Sequence, residues 1–274
     1  VFIGPVRFFI PSFAQNLQFF MLPALAVFTV IWAFLMKMEI GILKTAFATS
    51  FDVSRLHFGW LLQPFALAMI TVTGTGIAAM AKNPSVAHTA AFLSFVSGSM
   101  GFFLFMVKLF SLFKSHFEAP GLPDRQFLPG FLIVVPNITL YAISAFRLGH
   151  YFEHQFGAHL HIYFTVVILT AFAFESWYMM FGLSLLSDYF RKHFFSREFY
   201  ISQWGLVCPF VAYAVLSAFV YSVFINSVVF YVLVITAAGV SIALFAILIR
   251  RQLACAGMSF KENPGCVQQP ALNS

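Results

Sequence analysis

Charge is what this chain has least of. Only 9% of its 274 residues are Asp, Glu, Lys or Arg, against about 25% in a soluble domain. That scarcity excludes a water-facing globular surface, and 61% apolar residues with a mean hydropathy of +0.90 point the same way. Cysteine is scarce too. Cys208, Cys255 and Cys266 are odd in number and lack metal-ligand spacing, so no disulfide framework is expected. There is no Gly-rich phosphate loop, nucleophile elbow, HExxH helix or paired-carboxylate site, and the chain does not read as an enzyme. Nothing near Val1, Pro5 and Arg7 resembles a charged n-region or a cleavage site, so no signal peptide is argued.

What the chain has is long apolar runs. Seven of them, each about 22 to 29 residues, suffice to cross a hydrocarbon core as helices. They are roughly Leu17–Leu43, Phe58–Met80, His88–Lys114, Phe127–Leu148, His159–Ser187, Phe199–Val223 and Ser227–Ile249. Membrane β-barrels show alternating stretches of about 10 residues instead. The fold class is therefore all-α, a polytopic bundle in the lipid bilayer.

Lys and Arg orient it. Alternate loops sum to twelve basic residues on one side and two, Lys82 and Arg147, on the other, with Arg7 before the first span. The basic side is cytosolic, which places the C-terminus in the cytosol. The net charge of +6 thus marks topology rather than a nucleic-acid partner. Residues 1–16 fit no full span and read as a partial pore-helix remnant, 17–251 as the transmembrane domain, and 252–274 as a polar cytosolic tail.

A repeat runs through the spans. "HFGWLLQPFALAMITVTGTG", "FLPGFLIVVPNITLYAIS" and "FYISQWGLVCPFVAYAVLSAF" each carry a proline a turn or two inside an aromatic or Leu-rich start, followed by small and hydroxyl residues. Pro64, Pro136 and Pro209 lie 72 and 73 residues apart, and the intervening spans lack such a proline. The unit is a hairpin of one proline helix and one plain helix, repeated in one orientation about an axis along the membrane normal. Disrupted backbone is tolerated in a membrane where it faces protein or a water-filled cavity, so the proline helices are expected inside, around a central path. Close packing of Pro and small residues is the alternative.

The hairpins, the string "GWLLQP", the segment "RQFLPGFLIVVPNITLYAIS" and the stretch "SQWGLVCPF" resemble the tellurite-resistance/dicarboxylate transporter family, which includes bacterial anion channels and plant slow anion channels. The resemblance covers Phe58 to Arg251 well and residues 1–57 loosely. It implies ten helices in five hairpins around a pore, with seven or eight of them present here. It also implies transport of a small inorganic or carboxylate anion, a bacterial inner or plasma membrane, and a homotrimer. A chain without the first helices would not enclose a whole pore. In the family a gating phenylalanine precedes the proline of the ninth helix, whereas Cys208 stands there in this chain, with Phe210 the nearest ring.

Candidate pore-lining residues are Gln63, Pro64, Thr71, Pro136, Asn137, Thr139, Cys208, Pro209, Phe210 and Tyr213, mostly neutral groups that can replace part of an anion's hydration shell. No Lys or Arg reads as mid-span, so selection falls to these groups, with Arg55, Arg125 and Arg197 as a cytosolic funnel or merely as topology signals. Glu175 reads as the only acid well inside a span. A carboxylate there suits a proton carrier, and so a proton-coupled dicarboxylate or sulfite exporter, or it bonds a neighbouring helix. His150 and His154, in a His-rich extracytosolic loop, could hold a metal or haem or be solvated. No cofactor is expected.

Overall fold

The computed structural model describes residues 17–48, 57–118, 124–157, 160–194 and 199–256. Among these, eight α-helices run as α1 (Leu17–Ala48), α2 (Leu62–Met80), α3 (Pro84–Glu118), α4 (Val134–Phe156), α5 (His161–Leu185), the short α6 (Ser187–Lys192), α7 (Val207–Val223) and α8 (Val228–Ala256). Three 3-10 turns, Phe58–Leu61, Leu128–Ile133 and Ile201–Leu206, lead directly into α2, α4 and α7. Seven stretches are long and apolar enough to cross a membrane, and they match the seven expected spans. The ends differ: α1 and α3 run 32 and 35 residues, continuing past the apolar runs into residues that read as loops in the sequence. Residues 1–16, Arg55, Arg197 and the tail beyond Ala256 lie outside the described residues.

The proline repeat is visible as backbone geometry. Each lead-in turn carries an i to i+3 bond of the same length, Trp60 N–H to His57 O, Gly130 N–H to Phe127 O and Gln203 N–H to Tyr200 O, all 3.0 Å. Each lead-in hands over to α-helix two residues before Pro64, Pro136 or Pro209. A proline tolerates the first turn of a helix, where its missing N–H would have no partner anyway. These prolines therefore set where α-helix begins rather than kinking its middle, a change from the kinked helices expected.

The chain divides into two compact units. The second comprises the lead-in at Phe58–Leu61, Phe110–Thr139 and the chain from Thr170, and holds all three lead-in turns. They pack in sequence order, the first on the second and the second on the third. The turns come within van der Waals reach: a Cβ on Gly130 would lie 3.5 Å from Gly59 N, and one on Gly205 would lie 3.7 Å from Pro129 O, ordinary contact distances. Phe58 and Phe131 fill the first junction with ring centroids 4.7 Å apart. Phe131 stacks on Tyr178 (5.3 Å, 10°), whose hydroxyl donates to Phe131 O at 3.0 Å.

The first unit comprises α1, Leu62–Leu109 and Leu140–Leu169. Here α2 meets α3 through small residues. A Cβ on Gly98 would lie 3.0 Å from Thr71 Cγ2, and one on Gly101 would lie 2.7 Å from Leu67 Cβ. Such close approach is how helices associate in lipid. Burial follows the hairpin pattern for two of the three proline spans. Phe58–Met80 and Leu128–Phe156 are 67% and 72% buried, whereas the plain spans are 17% to 39% and Ile201–Val223 is 39%.

His57 sits just ahead of the first lead-in turn. Its Nδ1 accepts from Gly59 N–H at 3.1 Å, and its ring stacks on Phe127 at 4.2 Å. Burial lowers its pKa from the ordinary 6.5, so the unfolded chain takes up the proton first. Its contribution to stability is therefore complete above pH 6.5 and is lost as pH falls below it. Thermal unfolding of detergent-solubilised protein between pH 7.5 and 5.5 should show this loss, and His57→Gln should flatten it.

One expectation about cysteine fails. Cys255 is disulfide-bonded, with its partner outside the described residues, and Cys208 is free.

Candidate functional site

In the second unit the polar side chains gather on α4 and α5. The Asn137 amide is fully buried, and its Nδ2 donates to Ile133 O (2.9 Å) and reaches Leu61 O (3.4 Å). Those carbonyls lie three residues before Pro136 and Pro64, where each 3-10 lead-in hands over to α-helix. One side chain thus ties two lead-in turns together. Its Oδ1 is buried without a hydrogen-bond partner. Thr139 Oγ1 donates to Glu175 Oε1 at 2.6 Å and lies 3.2 Å from Val135 O. Glu175 is fully buried, and its Oε2 also lacks a partner. A proline helix and a plain helix are therefore joined through a carboxyl in the apolar interior.

Further along, Tyr213 Oη is 3.0 Å from Ser176 Oγ, and the Tyr213 ring stacks on Phe172. Pro209 and Phe210 are buried, whereas Cys208, at the expected gate position, is exposed. An exposed thiol thus stands where the resemblance implies a gating phenylalanine, and Phe210 is packed away.

In the first unit the charges cluster where none were expected. Glu39 on α1 is buried. Its Oε2 accepts from Gln63 Nε2, while Gln63 Oε1 accepts from Lys108 Nζ on α3. The amide one residue before Pro64 thereby bridges an acid and a base from two plain helices. Tyr141 Oη donates to Pro64 O at 3.0 Å. Thr71 is committed to packing, donating to Leu67 O at 2.7 Å and lying 2.9 Å from Ser97 Oγ.

Two sequence readings are corrected here. Glu175 is not the only buried acid within a span, because Glu39 is another, and Lys108 and Arg147 are bases within spans. All three lie within a few residues of the ends of the apolar runs, at Leu43, Lys114 and Leu148, and so read as end charges in the sequence. The available signal is position: Glu39 and Lys108 sit a few residues inside the ends of their runs, and Gln63 sits a similar distance inside the start of its own.

Arg147 is the more consequential of the two bases. It is half-buried on α4, and its Nη1 donates to Val72 O on α2 at 2.8 Å. Gly76 leaves room for it, since a Cβ there would lie 3.2 Å from Nη1. Among the described residues no carboxylate pairs with Arg147. Its Nε and Nη2 have no hydrogen-bond partner among the described residues, and the side chain is not sealed in.

The remaining candidates stand apart. Arg125 is exposed. His150 and His154 lie on the last turns of α4 rather than in a loop, with His150 Nδ1 3.3 Å from Glu153 Oε2. No group of three His, Cys, Asp or Glu side chains converges among the described residues. Compared with protein-family models, curated proteins and solved structures, the chain matches none.

Proposed function

We propose that this chain moves small anions across a membrane along a path lined by its proline-bearing helices, on the hairpin plan of the tellurite-resistance/dicarboxylate transporter family. Three in-register lead-in turns joined side by side support the repeat. The greater burial of Phe58–Met80 and Leu128–Phe156 supports placing proline helices inside.

The observation that carries the reading is Arg147. A cation within a membrane span is costly and is ordinarily paired with a carboxylate or turned to a water-filled cavity. Arg147 has one carbonyl as partner, no carboxylate among the described residues, and donors left without a partner there. That arrangement attracts a mobile anion. In proteoliposomes the protein should pass chloride or succinate, with a reversal potential that follows the anion gradient. Cation-selective flux, or none above empty vesicles, would refute it.

Coupling to protons is a second reading, favoured by Glu175. Its carboxyl links α5 to the proline helix α4 through Thr139 and has one buried oxygen without a partner. If it carries a proton, imposed pH gradients should drive succinate uptake, and Glu175→Gln should abolish the drive while leaving downhill exchange.

A further inference from the structure

We propose that the Nε–Nη2 edge of Arg147 is a stopping site for the transported anion, and that it takes an oxyanion with coplanar oxygens in preference to a halide. This rests on the anion-transport reading.

A guanidinium carries five N–H donors in a fixed plane. In Arg147 one corner is fixed, because Nη1 donates to Val72 O at 2.8 Å. Val72 O also accepts from Thr75 Oγ1 at 3.1 Å, so the anchor is a carbonyl already shared within α2 and carries no formal charge. Gly76 lets the guanidinium lie close to α2. What remains is the side edge, Nε and Nη2, two nearly parallel N–H groups with no partner among the described residues. That fork matches two oxygens of a carboxylate, nitrate or similar plane and gives two parallel charge-assisted bonds. A halide meets such a fork as a point charge and gains little over what an ammonium offers.

The charged surroundings leave the site net positive. Glu153, later on α4, lies against His150, and Glu39 is bonded to Gln63. His88, on α3, is held by Tyr151 Oη at 2.7 Å. The site therefore offers a single positive charge with a direction, and that direction separates oxyanions from halides.

Arg147→Lys keeps the charge and removes the fork, so it provides the test. In proteoliposomes loaded in parallel with succinate, nitrate or chloride, Arg147→Lys should lower succinate and nitrate flux about tenfold or more relative to chloride flux through the same variant. Gly76→Ala, whose added Cβ presses on Nη1, should lower the oxyanion-to-chloride ratio without altering any charge. Because it touches packing alone, it serves even if the Lys variant folds poorly. Equal loss of all three anions in both variants, or no change in any, would overturn the oxyanion site while leaving anion transport standing. A wild-type protein that passes none of the three would overturn both.

Discussion

Replacing Lys108 with methionine is expected to destabilise the protein by about 2–3 kcal/mol, and replacing Glu39 with leucine in the same chain should return much of that loss. Removing one member of a buried pair costs about 3–5 kcal/mol, because the other charge is left without a partner. The lower figure applies because Lys108 is only half-buried whereas Glu39 is buried. Gln63 joins the two, so the effect should pass through the turn that carries Pro64. Thermal unfolding in detergent of both single variants and the double variant yields the coupling free energy. A value near zero would mean that the cluster is solvated and does not hold α1, α2 and α3 together.

Asn137 should be nearly as sensitive, and the order of its variants is the sharper test. Asn137→Leu removes the side-chain donor shared by Ile133 O and Leu61 O, and with it the tie between two lead-in turns, at about 1–2 kcal/mol in total. Asn137→Asp should be worse than leucine, because it sets carboxyl oxygens against two carbonyl oxygens in an apolar interior. If aspartate is tolerated better than leucine, the Asn137 side chain faces water and does not tie the first and second lead-in turns together.

The sequence reveals the scaffold and conceals the charges for one reason: hydropathy reads averages, and position within a helix is a detail. The seven spans are long enough that their apolar content identifies them without help from packing. The prolines mark the repeat because the chemistry at a helix start, a fixed φ and no N–H, is written in the residue type. Glu39, Lys108 and Arg147 are hidden because α1, α3 and α4 extend beyond the apolar runs. A charge that looks terminal in sequence is therefore interior in the helix. The faces of Thr71 and Thr139 are hidden as well, since helices apolar nearly all round carry no stripe to show which side meets a neighbour. Both hydroxyls are engaged by adjacent helices.

Anion transport by this chain requires that Arg147 face water from within the membrane, and its accessibility can be measured directly. In a background where Cys208, Cys255 and Cys266 are replaced by serine, Arg147→Cys should react with an anionic, membrane-impermeant methanethiosulfonate in folded, lipid-embedded protein. A thiol at that position that stays unmodified until the protein is denatured would place the side chain in lipid or in closed packing and contradict a role in anion transport.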